Sequence, residues 1–330
     1  VNRECDVVEE ILRIHGYNNI PNNEHVKFSL SPISNNHYKY QNLISNYLSS
    51  LGLNEIMNNS LVSEKSNSNE NNLVTLKNSI SNDISIMRPN LIDGILNSIS
   101  YNLNRKSLTN NFFEFGSIYH KIGKKYIQKK VLGVALNGEI ISKTWATNSI
   151  KTDFFHLKNI IVNLFRKFNL PFSEEISENR DLQIKTENKL IASINQVSLS
   201  KLNSSGIKSE VYYSHVDLDL FYSLINDKFF DVKPISKYPK VVRDFSFLIN
   251  DKVLFNDVRD TVLSISPKYI NEVNLTDSYN PKNNNGKISY SFSVSISSNE
   301  KTMSDKEIKI ISEKIISTVS KKHEAVIRDQ

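Results

Sequence analysis

The chain has few of the residues from which catalytic and redox sites are commonly built. It contains one cysteine, Cys5, among 330 residues, which excludes an intramolecular disulfide and a cysteine-based zinc site. Its nine glycines never occur as Gly-x-Gly, so the usual dinucleotide fingerprint and phosphate loop are absent. The seven histidines are scattered, with no pair at helical i, i+4 spacing, so nothing supports a histidine metal site or a Cys-His nucleophile.

Long apolar segments are absent as well. No run approaches the ~20 apolar residues that a membrane-spanning helix needs, and the opening Val1-Asn2-Arg3-Glu4 does not have the pattern of a signal peptide. We therefore expect a soluble protein, and the lone cysteine favours a reducing compartment, the cytoplasm. The missing initiator methionine and the immediate helical pattern indicate a fragment.

Size and charge leave several classes open. A mass of 37.8 kDa predicts two or three domains, and 39% hydrophobic with 23% charged residues is a composition that folds. The net charge of +6 suits a polyanionic partner. Because acidic and basic residues are interleaved, charge alone does not assign nucleic-acid binding.

The first two thirds of the chain predict a mixed α and β domain with an antiparallel sheet. Apolar residues recur at helical spacing over four segments: Asp6 to His15, Tyr38 to Leu51, Ile92 to Leu103 after Pro89, and Asp153 to Phe168. Segments rich in β-branched and aromatic residues predict four strands: Phe112 to His120, Val131 to Asn137, Leu190 to Val197 and Val211 to Leu220. The stretch from Pro21 to Ser34 is typical of a linker. We interpret the lysine-rich hairpin from Lys121 to Lys130 as a solvated turn that protects a strand edge.

A different order of elements follows Phe230, and we place a domain boundary near Asp231. The predicted elements are strand Asp244 to Asn250, helix Asn256 to Ile265, strand Ile270 to Asp277, strand Lys287 to Ser295, helix Asp305 to Ser320 and strand Ala325 to Arg328. This βαββαβ order is that of the ferredoxin-like fold. Ser304 and Glu307 have the spacing of a capping box, and Asn256 is a candidate cap for the first helix.

An acidic cluster near the start has two interpretations. The spacing of Asp6, Glu9 and Glu10 places three carboxylates on one side of a helical turn, where they could share Mg²⁺. Alternatively, the acidic residues complement the helix dipole and Glu9 pairs with Arg13. Spacing alone favours the second interpretation.

Three motifs near the carboxyl end carry a family resemblance. Lys237 to Phe245, Asp277-Ser278-Tyr279 and Lys287-Ile288-Ser289 resemble the ferredoxin-fold anticodon-binding domain that ends the β subunit of bacterial phenylalanine-tRNA ligase. The resemblance implies that Tyr279 stacks on an anticodon base and that Asp277 and Ser289 bind base edges by hydrogen bonds. We expect three basic residues around the same edge of the sheet to neutralise phosphates, with a merely solvated rim as the alternative: Lys237, Lys240 and Lys287.

The other motifs resemble further parts of the same subunit. Asp6-x-x-Glu9-Glu10-Ile11 through Ile20-Pro21 is similar to the end of its DNA-binding-like module. There the resemblance implies that Asp6, Glu9 and Glu10 hold Mg²⁺ at the contact with the α subunit. A further aspartate of that pattern would fall just before Val1, so we expect an incomplete site.

The middle of the chain resembles the catalytic-like domain of that subunit. The matching motifs are Leu51 to Ile56, Met87 to Leu91, Phe113 to Gly116 and Trp145 to Phe155. The resemblance implies a class II synthetase-like sheet without the residues that activate an amino acid. For Arg88 and Glu114 we expect a buried ion pair or a helix-start contact. The implied domains are residues 1–24 (end of the DNA-binding-like module), 25–230 (catalytic-like) and 231–330 (anticodon-binding).

The resemblance implies a β-subunit part of phenylalanine-tRNA ligase with no catalytic residue of its own. Its partners would be the α subunit, in an α2β2 heterotetramer, and tRNA(Phe), with no membrane partner; ATP would be used at the α subunit, with Mg²⁺ shared between subunits. One alternative is a free-standing RNA-binding protein with a ferredoxin-like domain, which a neighbouring class II catalytic gene would disfavour. Another is an active class II enzyme, which would form an adenylate by itself.

Overall fold

The chain forms two compact units, residues 1–229 and 230–330. The computed structural model describes residues 3–21, 36–64, 72–177, 181–225, 236–280 and 286–328. The predicted linker beyond Pro21 and the predicted boundary near Asp231 lie outside these residues. The α+β class predicted from the sequence is confirmed.

The four helices predicted for the first unit are present with shifted starts. The helices among its described residues are α1 (Glu4–His15), α2 (Asn36–Ser50), α3 (Ile92–Leu103), α4 (Phe154–Lys167), α5 (Leu199–Ser204) and α6 (Leu218–Leu224). The helix α3 follows Pro89, as predicted, and begins at Ile92. Asp153 caps α4, because its Oδ1 accepts a hydrogen bond from the His156 backbone N–H at 2.8 Å.

The main sheet of the first unit has seven strands. They are β1 (Asn54–Glu55), β5 (Phe112–Ile122), β6 (Lys125–Asn137), β9 (Ser173–Ile176), β10 (Leu182–Thr186), β11 (Lys189–Gln196) and β12 (Val211–Asp217). Their order across the sheet is β1-β5-β6-β12-β11-β10-β9. Only β1 pairs in parallel, with β5; the other neighbours are antiparallel.

Two smaller sheets contain the other strands among the described residues of the first unit. Their members are β2 (Leu61–Val62), β3 (Val74–Thr75), β4 (Ile86–Met87), β7 (Glu139–Ile141) and β8 (Ile150–Lys151). The first sheet has the order β2-β4-β3, and the second is the hairpin of β7 and β8.

Helices cover both faces of the seven-stranded sheet. Because successive strand residues point to opposite faces, Phe113 packs in the cluster that contains Ile44 of α2 and Leu157 of α4. Phe112 packs in the other cluster, with Ile95 of α3. The sheet is therefore the middle layer of this unit.

The predicted strand from Val211 to Leu220 is too long. It ends at Asp217, whose Oδ1 accepts a hydrogen bond from the Leu220 backbone N–H at 3.0 Å and caps α6. An aspartate at a helix start satisfies an N–H group that the helix itself leaves unpaired. The capping bond therefore ends the strand three residues early.

The second unit has the predicted ferredoxin-like order. Its elements are β13 (Val241–Asn250), α7 (Phe255–Ile265), β14 (Ile270–Tyr279), β15 (Lys287–Ile296), α8 (Asp305–His323) and β16 (Val326–Ile327), and the sheet order is β14-β15-β13-β16. The capping box of Ser304 and Glu307 at the start of α8 is confirmed. The predicted cap Asn256 is wrong, because α7 already begins at Phe255 and its N-cap residue, Leu254, makes no side-chain capping bond.

One face of this second sheet is buried and the other is open. Apolar side chains of both helices pack on the first face, among them Val258 of α7 and Ile315 of α8, together with Phe247 and Phe292 from the strands. The alternate residues of β15 lie on the other face: Lys287, Ser289, Ser291, Ser293 and Ser295. We call this second surface the open face.

Candidate nucleic-acid interface

The three residues that the sequence predicts as base contacts share the open face. Tyr279 of β14 lies directly opposite Ser289 of β15, and Asp277 lies opposite Ser291. Residues directly opposite in an antiparallel pair point to the same face, with Cβ atoms about 5 Å apart. Asp277 and Tyr279 are two residues apart on one strand, so both side chains point away from the buried core.

Tyr279 presents its ring to solvent at the end of β14. It is 56% exposed, whereas Tyr290 on the buried face of the neighbouring strand is 7% exposed. An exposed ring on a β-sheet face is the platform on which RNA-binding sheets stack unpaired bases. Tyr279 and the exposed Asp277 thus offer a stacking surface beside a carboxylate acceptor.

Ser289 is less accessible than the sequence suggests. It is only 3% exposed, and its hydroxyl accepts a hydrogen bond from the Arg328 Nη1 at 3.2 Å. Sequence reasoning did not single out Arg328. Its place follows from strand register, since Arg328 follows Val326 by two residues, Val326 pairs with Leu248, and Leu248 lies opposite Ser289 on the open face. The exposed Arg328 adds a guanidinium donor to this surface.

The three predicted phosphate contacts do not lie at one edge. Lys287 opens β15 opposite Asn250, close to the Tyr279 end of the sheet. Lys240 precedes Val241, which pairs with Ile296 at the other end of β15. At about 3.3 Å per residue, the two ends of these strands lie roughly 25–30 Å apart. The expectation of one common edge is therefore wrong for Lys237 and Lys240. The pairing register of β13 with β15 places them at the end of the sheet that lies away from Tyr279.

The carboxylates of the acidic cluster lie on the exposed helix α1. Asp6 is paired with Arg3, Oδ1 to Nη2 at 3.2 Å, and Glu10 with Arg13, Oε2 to Nη2 at 2.7 Å. The expected pair of Glu9 with Arg13 is wrong, because the i, i+3 partner Glu10 takes the guanidinium. Two of the three candidate ligands for Mg²⁺ are thus already engaged by cations.

These residues do not fit a complete magnesium site by themselves. Carboxylate oxygens are the ligands that Mg²⁺ prefers, but the described residues contain no group of three or more carboxylates, histidines or cysteines arranged to hold a metal ion. We expect calorimetric titration of this chain with Mg²⁺ to show weak binding or none. A micromolar affinity that disappears in Glu9→Gln, and persists in the matched Glu4→Gln control, contradicts this prediction.

The first unit contains the expected buried ion pair. The Arg88 Nη1 lies 2.6 Å from the Glu114 Oε1, and the two side chains are 7% and 0% exposed. Asn58 donates to the same carboxylate from its backbone N–H at 3.1 Å and from its Nδ2 at 2.7 Å. The Arg88 Nε donates to the Ser117 carbonyl oxygen at 2.9 Å. The pair therefore joins the segment before α3 to β5 in a hydrogen-bonded network.

Gly116 explains the Phe-Glu-x-Gly motif on β5. A Cβ added at this position would clash with the Nη2 of Arg88 and lie 2.9 Å from the Leu91 Cδ2. Only glycine leaves room for the guanidinium that neutralises Glu114. The Tyr213 hydroxyl is buried in the same region, and burial together with the Glu114 charge raises the pKa of Tyr213. Arg88, Glu114 and Asn58 thus form a buried network that Gly116 makes room for.

The two units together define the class of protein. Residues 236–328 match the ferredoxin-fold anticodon binding domain, whose sheet carries the open face described above, so the chain is a component of the aminoacyl-tRNA synthetase class. Residues 26–218 match the phenylalanyl tRNA synthetase beta chain CLM domain. This chain belongs to the phenylalanyl-tRNA synthetase β chain family.

Curated relatives agree with this assignment. The phenylalanine–tRNA ligase β subunit of Bacteroides fragilis is 33% identical over 353 residues, covering 99% of this chain and 43% of the relative. That of Bacillus licheniformis is 26% identical, covering 98% of this chain and 42% of the relative, and a chloroplastic one from Porphyra purpurea is 29% identical, covering 93% and 44%. The chain spans less than half the length of these relatives.

A more distant likeness exists to a solved pyrrolysyl tRNA synthetase from Desulfitobacterium hafniense. It has a TM-score of 0.43 and 11% identity and covers 56% of this chain and 67% of that one, which is too remote to bear on function. Among the described residues, no helix is long and apolar enough to span a membrane.

Proposed function

We propose that this chain is the part of a phenylalanine-tRNA ligase β subunit that binds the anticodon of tRNA(Phe) and docks the catalytic α subunit. The observation that carries the proposal is the exposed Tyr279 beside Asp277 on the open face. Stacking supplies affinity for an unpaired base, and a carboxylate selects bases that present N–H donors at their edge. The family assignment supports tRNA(Phe) as the RNA.

Binding of an isolated anticodon stem-loop tests this proposal. We expect the chain to bind the tRNA(Phe) stem-loop in a fluorescence titration at fixed salt, and to bind less tightly a stem-loop of the same length with the three anticodon bases replaced. The common stem makes the phosphate contribution equal in both probes. Equal affinity for the two loops would show that the open face does not read bases.

Docking of the α subunit is the second part of the proposal. The hairpin of β7 and β8 supports it, because Trp145 at its tip is 100% exposed and Phe155 at the start of α4 is 73% exposed. The turn is held by hydrogen bonds from the Ala146 and Thr147 backbone N–H groups to the Thr144 Oγ1, at 3.3 and 3.1 Å. Exposed aromatic residues on an ordered turn are typical anchors of protein interfaces.

In this proposal the chain performs no chemistry. Amino-acid activation, with ATP and Mg²⁺, takes place at the α subunit of an α2β2 assembly in the cytoplasm. Residues 1–24 form the end of a separate module, residues 25–230 a catalytic-like scaffold and residues 231–330 the anticodon-binding domain. The exposed apolar stripe of α1, with Ile11 at 60% and Ile14 at 84%, supports the separation of the first module.

The rival functions make different predictions. A free-standing RNA-binding protein would purify without a class II catalytic subunit when the two are co-expressed, whereas our proposal requires a stable complex. An active class II enzyme would catalyse phenylalanine-dependent pyrophosphate exchange by itself. We expect exchange only after the α subunit is added.

A further inference from the structure

The outer half of the β5-β6 hairpin extends past its pairing with β1 and β12, and its Tyr119 and Lys121 backbone N–H groups donate instead to the Arg88 and Asn72 carbonyl oxygens, at 3.0 and 2.7 Å. β1 pairs with β5 only at Phe112 and Phe113, and β12 pairs with β6 only from Val131 onward. Residues 117–122 and 125–130 continue to pair with each other. We call residues 117–130 the basic arm.

The basic arm carries an unbalanced positive charge. Its five lysines are Lys121, Lys124, Lys125, Lys129 and Lys130, and no aspartate or glutamate occurs from position 115 to 138. All five are exposed. Within the part of the chain that the structure describes, only Lys129 makes an ion pair, with Asp217 at 3.5 Å.

One face of the arm combines two of these lysines with two tyrosines. Lys121 lies opposite Tyr126, Tyr119 opposite Gln128, and Ser117 opposite Lys130, so all six side chains point to one side. Tyr126 is 70% exposed, and the Lys121 Nζ lies 5.8 Å from its ring centroid. None of these six side chains is aliphatic.

We propose that the basic arm binds the phosphate backbone of the tRNA outside the anticodon stem-loop. Lysines on a strand edge discourage pairing with another chain, but edge protection does not explain the exposed Tyr126 on the same face as Lys121 and Lys130. Lysines neutralise phosphates, and an exposed tyrosine packs against a ribose or an unpaired base. On the face that carries Tyr126, a docking protein is disfavoured, because interface cores are apolar and depleted of lysine.

The inference rests on the proposed function for the identity of its probe, the whole tRNA(Phe). The test replaces Lys121, Lys124, Lys125 and Lys130 with alanine in the full chain. We expect affinity for whole tRNA(Phe) to fall at least tenfold at low salt. The slope of log K against log salt should decrease by about one for each phosphate that the variant no longer neutralises. Affinity for the anticodon stem-loop should not change. Tyr126→Ala should weaken binding of the whole tRNA and leave binding of the anticodon stem-loop unchanged.

A matched control removes the same charge elsewhere. Alanine at four exposed lysines of α8, a helix packed on the buried face of the second sheet, changes the net charge equally: Lys306, Lys309, Lys314 and Lys321. We expect this variant to retain most of its affinity for whole tRNA. An equal loss of affinity in both variants would mean that only the overall charge matters, and it would overturn the inference.

Other outcomes separate this inference from the proposed function. If the wild-type chain binds the stem-loop and the whole tRNA with the same affinity and salt slope, the basic arm makes no RNA contact and only the inference fails. If the arm variant keeps its tRNA affinity but no longer co-purifies with the α subunit, the arm is a protein contact and the inference is wrong. Failure of the wild-type chain to bind the stem-loop rejects the anticodon proposal, while loss of whole-tRNA binding in the arm variant still supports the arm.

Discussion

Replacing Arg88 with methionine is expected to lower the stability of the first unit by about 3–5 kcal/mol. The substitution keeps much of the apolar volume of the side chain but leaves the Glu114 carboxylate fully buried without its cation. Two N–H donors from Asn58 remain, and they compensate only part of the cost of a buried charge. This is the largest effect on folding that we expect from a single substitution outside the hydrophobic core.

Urea unfolding followed by circular dichroism measures this effect, with the transition of the second unit as an internal reference. The double variant Arg88→Met/Glu114→Met provides the control, because replacing both partners of a buried pair by apolar residues is often close to neutral. We expect it to be more stable than either single variant. A decrease in stability below about 1 kcal/mol for Arg88→Met would mean that water reaches the pair.

Tyr279→Ala is expected to weaken binding of the tRNA(Phe) anticodon stem-loop by about 1–3 kcal/mol, the usual contribution of one base stacked on an aromatic ring. That energy corresponds to roughly a 5- to 150-fold rise in Kd. The residue is 56% exposed at the end of β14, so its removal creates no cavity and should leave the unfolding transition in place.

Tyr279→Phe is the matched control for the stacking prediction. It retains the ring and removes only the hydroxyl, so we expect Kd to stay within a few-fold of the wild type. An unchanged Kd for the alanine variant at fixed salt would remove Tyr279 from the interface. An equal rise in Kd for both variants would assign the contact to the hydroxyl and not to the ring.

Much of the second unit could be predicted from the sequence because its signals are local. Alternating apolar residues define β13 and β15, and the capping box defines the start of α8. The shared face of Asp277 and Tyr279 follows from strand alternation alone. These patterns depend on neighbours two to four residues away, which a sequence displays directly.

Features that depend on pairing between distant segments could not be predicted. Ser289 is buried because Leu248 from another strand lies beside it and Arg328 reaches it from beyond the last strand. Lys240 lies far from Tyr279 because β13 runs antiparallel to β15. The short edge strand β9 has too few residues to show periodicity, and its place depends on β10.

For the basic arm, the residues were visible in the sequence but their placement was not. Its lysines are evident in the sequence, but the reach of the hairpin beyond its neighbours becomes visible only once the pairing limits of β1 and β12 are known. Charge runs are most often solvated surface. Here the lysines lie at the outer end of a hairpin, with Tyr126 on the same side as Lys121. This placement favours a binding surface over a merely solvated one.

The serines of β15 make the open face of the second sheet both polar and lower along its centre than along its sides. Short hydroxyl-bearing side chains occupy every second position along this central strand, while Tyr279 and Asp277 stand along one flank and Leu248 and Val326 along the other. The two strands beside β15, β14 and β13, are about 10 Å apart. Under the proposed function, the short side chains of β15 leave room for unpaired bases to lie beside Tyr279.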